Sequence, residues 1–319
     1  MAVNIRNFFV TASAATVTNV PLDVVPVTLL AANPDRKSVV VYNDSGQTCY
    51  IKFGSTPTST SFTVPILTGT SYTLPLPCYP GLLSGFFSGG TNVSAYWKFD
   101  EGSGTSAADL SGNTNTGTLL NGPTWVSGVS GTGVQLDGTN DSIEAAHSSS
   151  LNITGNAFSI CAWVKVNGDN TLSDTAQTVI CKPVSGSGHT SPFFSYCLHL
   201  IRNSATNWTP RFFLSLAGVA QTVSSSVSVG TGAFFHFAGI YNGATMKIYI
   251  DGVERGSLSI TGNISGYSTP VRIGLNGGSL EAFKGVIDNV MIFSRAISTT
   301  ELANIITPAT TALRVTEIV

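Results

Sequence analysis

Apolar and polar residues alternate with a period of two through most of this chain, and clusters of Gly, Pro, Asn and Asp interrupt the alternation at short intervals. Phe158-Ser159-Ile160-Cys161-Ala162-Trp163-Val164-Lys165 is one clear case. Successive side chains of a strand point to opposite faces, so this pattern predicts a half-buried strand. Ser38-Val39-Val40-Val41-Tyr42 and Thr48-Cys49-Tyr50-Ile51-Lys52-Phe53 flank the turn Asn43-Asp44-Ser45-Gly46, which predicts a hairpin. Residues 62–67 and 71–76 flank Thr68-Gly69-Thr70 and predict a second. A third is predicted where residues 235–241 meet residues 246–252. Further strand pieces are expected at 24–30, 271–275 and 285–298. The prolines at 57, 65, 75, 77 and 80 suit strand ends and edges, because Pro cannot donate to a ladder. A single short helix is expected over 299–305, with Ser298 as N-cap and Glu301 three residues on.

The two ends of the chain are complementary. Leu82-Leu83-Ser84-Gly85-Phe86-Phe87 runs into Ser88-Gly89-Gly90-Thr91-Asn92 with no return strand, and Ala312-Leu313-Arg314-Val315-Thr316-Glu317-Ile318-Val319 supplies one at the C-terminus. The two read as one severed hairpin. The expected architecture is therefore all-β, in two domains. Residues 1–92 plus 309–319 form a small β-sandwich that residues 93–308 interrupt. With 319 residues the chain can give each domain its own core.

Composition narrows the partners. Charged residues make up 10% of the chain against about 25% in an average soluble protein. The formal net charge is −2, so no electrostatic footprint for nucleic acid is present. Sparse charge is expected where surface is buried in an assembly. No apolar run nears the ~18 residues of a spanning helix, so membrane insertion is not expected. Residues 1–14 read as an extended arm or first strand rather than a signal peptide, because Asn7, Thr11 and Ser13 break the apolar stretch. The 5 cysteines are an odd number with no CxxC pair, which predicts buried free thiols in a reducing compartment.

Two family resemblances follow. Leu30-Ala31-Ala32-Asn33-Pro34-Asp35-Arg36-Lys37, Val40-Val41-Tyr42-Asn43-Asp44-Ser45-Gly46, Ser84-Gly85-Phe86-Phe87 and Arg314-Val315-Thr316-Glu317 together resemble a small β-domain of tailed-phage virion proteins. Tyr96-Trp97-Lys98-Phe99-Asp100-Glu101-Gly102, Leu136-Asp137-Gly138-Thr139-Asn140-Asp141 and Ile287-Asp288-Asn289-Val290-Met291-Ile292-Phe293-Ser294-Arg295-Ala296-Ile297-Ser298 resemble the laminin-G-like, concanavalin A-like lectin/glucanase jelly roll. That resemblance implies a sandwich of two antiparallel sheets and brings Ca²⁺ into question as a cofactor. Asp137, Asn140, Asp141 and Asp288 match the family's motifs and carry hard oxygen ligands. The alternative is that 137–141 is a hairpin turn whose carboxylates bond backbone amides, with Asp288 buttressing a loop.

Catalytic chemistry finds little support. A retaining glycosidase places two carboxyl groups about 5–5.5 Å apart, which a jelly roll supplies from alternate positions of one strand. None of the glutamates 101, 144, 254, 281, 301 and 317 has an acid two positions away. The four histidines, His147, His189, His199 and His236, are dispersed without metal-ligand spacing. Trp97, Trp125 and Trp163 fall in strands or motifs and are expected in the core. Trp208, in the polar stretch Asn203-Ser204-Ala205-Thr206-Asn207-Trp208-Thr209-Pro210, is the expected exposed platform for carbohydrate.

The reading these features support is a non-enzymatic phage structural protein on the virion surface, a capsid decoration or cement protein displaying a lectin-like domain. The expected partners are the major capsid protein or other virion proteins, further copies of the chain in a homotrimer, and host-surface glycans. Assembly is expected in the bacterial host cytoplasm. A tail fibre or tip recognising host glycans is the second reading, and a carbohydrate-active enzyme the third.

Overall fold

The computed structural model describes residues 15–20, 27–43, 49–54, 63–67, 70–75, 79–87, 92–170, 176–186, 190–277, 281–306 and 313–318. The expected N-terminal arm at 1–14, the first part of the strand at 24–30, both short turns at 44–48 and 68–69, Cys78 and His189 lie outside them. The chain divides into two compact units, Met1–Thr91 with Ala303–Val319 and Asn92–Leu302.

The first unit opens with β1 (Ala15–Val20), β2 (Val27–Leu30), β3 (Ser38–Asn43), β4 (Cys49–Phe53), β5 (Val64–Ile66), β6 (Ser71–Thr73) and β7 (Leu83–Phe87). Period-two alternation puts Val39 and Val41 of β3 and Cys49 and Ile51 of β4 into one core with Leu29, Leu30, Ile66, Leu74 and Leu83. Arg36 is buried beside this core. Its Nη1 donates to Tyr79 O and Gly81 O, both at 2.8 Å, and its Nη2 to Ala31 O at 2.6 Å. A guanidinium has five donors spread over a planar fork and so reaches carbonyls of separate segments at once, whereas the three donors of a lysine radiate from one atom.

The second unit continues with β8 (Val93–Trp97), β9 (Ser106–Ala107), β10 (Gly117–Leu120), β11 (Thr124–Ser127), β12 (Thr132–Asp137), β13 (Ser142–Ala145), β14 (Phe158–Val166), β15 (Ala176–Pro183) and β16 (Phe194–Ser204). Then come β17 (Asn207–Leu216), β18 (Val219–Ser224), β19 (Val229–Gly230), β20 (Phe234–Tyr241), β21 (Thr245–Ile250), β22 (Val253–Ser259), β23 (Val271–Ile273), β24 (Lys284–Phe293) and α1 (Thr299–Ile306). They build a nine-stranded antiparallel sheet in the order β18-β17-β16-β15-β23-β13-β10-β9, with β19 against β17. The second sheet has eight strands, β11-β12-β24-β14-β20-β21-β22, with β8 also pairing β24. This is a jelly-roll sandwich. Alternate residues of both sheets meet in one large core. At one point the sheets approach so closely that only glycine fits: a Cβ on Gly239 of β20 would lie 2.5 Å from the Phe212 ring of β17. The helix begins as expected with a reciprocal capping box, Glu301 N to Ser298 Oγ at 3.2 Å and Ser298 N to Glu301 Oε2 at 2.8 Å.

The last strand, β25 (Leu313–Ile318), returns to the first unit. Its sheet runs β1-β25-β3-β6, and the facing sheet runs β2-β7-β4-β5. The severed hairpin is therefore corrected. β25 does not pair with β7, because β2 and β4 already occupy both edges of β7. β25 instead fills the gap between β1 and β3, matched over six residues on each side. The two hairpins expected in this unit are corrected on the same ground. β3 pairs β25 and β6 while β4 pairs β7 and β5, so β3 and β4 belong to different sheets. β5 and β6 are likewise split between sheets. In the second unit the expected β20–β21 hairpin is present.

Two histidines and an aspartate are among the titratable side chains buried in the jelly roll. His199 and His236 are 4% and 0% exposed, and no ring nitrogen of either has a partner. Burial pushes both imidazoles down to about 3, helped at His199 by the charge of Arg211. Asp288 of β24 is fully buried, and burial raises it to about 6 against the pull of amides at 129, 130 and 289.

Two predictions follow from this architecture. Truncation after Ile306 deletes the strand that joins β1 to β3, so the first unit should lose its cooperative melting and amide protection while the jelly roll keeps its own. Retention of both transitions would contradict the central placement of β25. Second, the histidines bind protons in the unfolded chain below about 6.5 and in the folded one only near 3. Each therefore withdraws up to about 1.4 kcal/mol of stability per pH unit on acidification from 6.5. Asp288 acts in reverse, binding its proton first in the folded state between about 6 and 3.8. With two groups against one, the jelly roll should melt at a lower temperature at pH 5 than at pH 7. His236→Phe should flatten that fall and Asp288→Asn should steepen it. A melting temperature independent of pH over this range would show that the histidines are not buried neutral.

Candidate functional site

The expected sugar platform is not where the sequence pattern put it. Trp208 is fully buried in the core of the jelly roll. The stretch 203–210 is a tight hairpin, with Ser204 paired to Asn207 and Arg202 to Trp208, so Ala205 and Thr206 alone make the turn. Trp208 then shares the inward face of β17 with Phe212 and Leu214. Trp97 is in the core as expected, its Nε1 donating to Asn115 O at 2.8 Å. Trp125 and Trp163 are only half-buried, and Trp163 meets the His236 ring edge-on at 5.3 Å.

The residues matched to calcium ligands are not one donor set. Asp137 Oδ1 accepts from Thr139 N at 2.7 Å and Asp141 Oδ2 from Asp137 N at 3.0 Å, while Asn140 is exposed. This is an Asx-type turn at the end of β12. Asp288 lies toward the opposite end of that strand, since Asp137 pairs with Lys284 and Val134 with Ile287. Its Oδ2 accepts from Val129 N at 2.8 Å and Ser130 N at 3.4 Å. Asp100 grips the same turn through Thr132 N at 3.0 Å. Among the described residues no group of three or more His, Cys, Asp or Glu could hold a metal ion. Asp288 is thus not gathered with Asp137 and Asp141 into one carboxylate cluster.

The other carboxylates of this unit are also engaged. Asp109 accepts from the amides of Tyr96, Ser111 and Asn115, Glu101 from Ala108 N, and Asp251 from His236 N. Glu144 pairs with Arg272, Asp169 with Arg202, Glu254 with Lys247, and Glu301 with Arg295. Glu281 accepts from Thr178 Oγ1 at 3.0 Å. Lys182 is buried and lowered to about 8 by that burial, with Thr269 O and His147 Nδ1 as partners.

One sheet face carries polar groups that structure does not absorb. Tyr196, Leu198 and Leu200 of β16 and Phe212 and Leu214 of β17 point into the core. The alternate positions form rows on the outer face of the nine-stranded sheet. One row is Thr178, His199, Arg211 and Ser224; the next is Cys181, Cys197, Phe213 and Thr222. His199 packs edge-on against Phe213 at 4.6 Å and Phe194 at 6.4 Å. Arg211 is half-exposed and makes no hydrogen bond or ion pair among the described residues, with its Nε buried and unpartnered. Phe213, Thr209 and Thr222 beside it are half-exposed. Sequence reasoning passed over this face. The 204–207 turn alone would set His199 opposite Phe212; the bulge between Arg202 and Ser204 moves it opposite Arg211.

Among solved structures the jelly roll is similar to toxin binding domains. The binding domain of Paraclostridial Mosquitocidal Protein 1 aligns with 67% of this chain and 52% of its own at 17% identity and a TM-score of 0.54. The binding domain of botulinum neurotoxin serotype G gives 67%, 50%, 16% and 0.52. The serotype D ligand binding domain in complex with N-acetylneuraminic acid gives 67%, 50%, 18% and 0.51. The alignments thus span about half of each of those structures, and at such identities they show the fold alone. No curated protein matches the sequence. The profile of the concanavalin A-like lectin/glucanases superfamily, laminin-G type, matches residues 137–303, just over half of the sequence, and the chain belongs to that superfamily.

Proposed function

We propose that this chain is a non-enzymatic structural protein of a phage virion surface, in which the small sandwich anchors a lectin-like jelly roll. The observation that carries the reading is β25: a complete sandwich, Asn92–Leu302, is inserted between β7 and the strand that completes the first unit. Insertion at a surface loop is how a module is added to a host domain without disturbing the host's core. The engaged carboxylates favour binding over hydrolysis, since a glycosidase needs two of them free to face a sugar. Binding domains among the structural neighbours favour glycan contact at the host surface, and the low charge density suits a chain packed into an assembly. In this reading the anchor engages the major capsid protein as a homotrimeric cement. The tail fibre or tip reading keeps the same two units and changes only the place of attachment.

Purified protein is expected to rebind capsids stripped of it and to appear as trimeric knobs in cryo-EM maps of the particle. Labelling confined to the tail would move the protein to the fibre reading. Incubation with polysaccharides should release no reducing sugar, and turnover above a heat-killed control would defeat the non-enzymatic assignment. Because the expected calcium ligands are spent on backbone amides, millimolar Ca²⁺ should move the melting temperature by less than about 1 °C, whereas a bound ion at a large excess over its Kd would add roughly 3 kcal/mol.

A further inference from the structure

Among the described arginines of the jelly roll, Arg211 and Arg255 hold no carboxylate, and the Nε of each is buried without a partner. Arg202, Lys247, Arg272 and Arg295 each hold a carboxylate. Arg211 holds none, although it lies in the middle of a long strand whose neighbours β16 and β18 fix its backbone. Directly opposite in the register is His199, nine-tenths buried, with both ring nitrogens unpartnered. Cross-strand neighbours share a face with Cβ atoms about 5 Å apart. The sheet face thus offers a guanidinium with no protein acceptor, beside an imidazole whose nitrogens are buried.

We propose that the outer face of β16–β18 around Arg211 binds the carboxylate of an acidic sugar residue, with Phe213 as its apolar platform. The proposal rests on the reading of this unit as a glycan-contacting module and names the class of glycan. The planar fork of an arginine matches a carboxylate with two parallel hydrogen bonds. Phe213 is the next residue of β17 on the same face, about 7 Å along the strand, a span that one sugar ring covers. Its half-exposed ring supplies the flat apolar surface, and Thr209, Thr222 and Ser224 place hydroxyls around the pair. His199 lies beneath the site: both its ring nitrogens are buried, and its ring packs edge-on against Phe213, which fixes the platform in place. The nearby acid in the row, Glu281, is two strands away and bonded to Thr178, which leaves the positive charge of Arg211 uncancelled. A polyanion such as nucleic acid is a poorer match, because the binding of phosphate chains needs many cations and this face offers one.

The test is calorimetric titration of the full chain with 3′-sialyllactose and trigalacturonate, each against a neutral counterpart, lactose and maltotriose. At least one acidic sugar should bind more tightly than its neutral counterpart. Arg211→Gln should weaken that binding about tenfold or more, while the melting temperature stays close to that of the parent. Arg202→Gln, which removes a cation already paired with Asp169, should leave the binding unchanged. Acidic-sugar binding that survives Arg211→Gln would overturn the site. Binding of neutral sugars alone would overturn the acidic class and leave the glycan reading standing, whereas no binding by any of the four would remove both. Displacement of the sugar by equimolar sodium sulfate would reduce the face to an unspecific anion site and overturn the assignment to a sugar.

Discussion

The ladder of β25 is the constraint on which the first unit depends. A strand buried in the middle of a sheet must have both rows of its amides and carbonyls paired, since an unpaired backbone group away from water costs about as much as a lost hydrogen bond. β25 meets that demand for β1 on one side and β3 on the other. The sheet is continuous only when the C-terminal residues are in place, so the whole jelly roll must be synthesised before the small sandwich can close. The insertion is thereby tied into the host by the backbone itself rather than attached as an appendage.

In the jelly roll, sheet-on-sheet packing decides what the polar residues can do. The core faces are filled with aromatic and aliphatic side chains to the point where Gly239 admits the Phe212 ring. Most carboxylates are drawn off to hold turns and to pair with cations, as Asp288 and Asp100 hold the loop between β11 and β12. A fold that hosts glycosidases elsewhere here uses its acids as structural acceptors.

Much of the local structure was legible. Period-two alternation located β14, β20 and β21 but not β15, β16 or β17, the Ser298–Glu301 spacing located the helix start, and three short motifs identified the superfamily. The partners of those strands were not legible in the small sandwich. A turn flanked by two alternating runs reads the same whether the second run returns beside the first or crosses to the facing sheet, because alternation encodes which face is buried and not which edge is paired. The turn at 43–46 and the break after β7 were both misread on this account, and β20–β21 was read correctly only because its edges were free for each other.

The candidate site divides along the same line. Sequence determined that this is an all-β chain with an inserted lectin-like domain, few charges and no acidic dyad within a strand, since those properties are written in period, motif and composition. Only tertiary structure decided that Trp208 is core, that Asp288 and the 137–141 turn are apart, and that Arg211 faces His199 with nothing to neutralise it. Each of these depends on the register between strands distant in the chain, and a shift of one residue in that register moves every side chain to the opposite face.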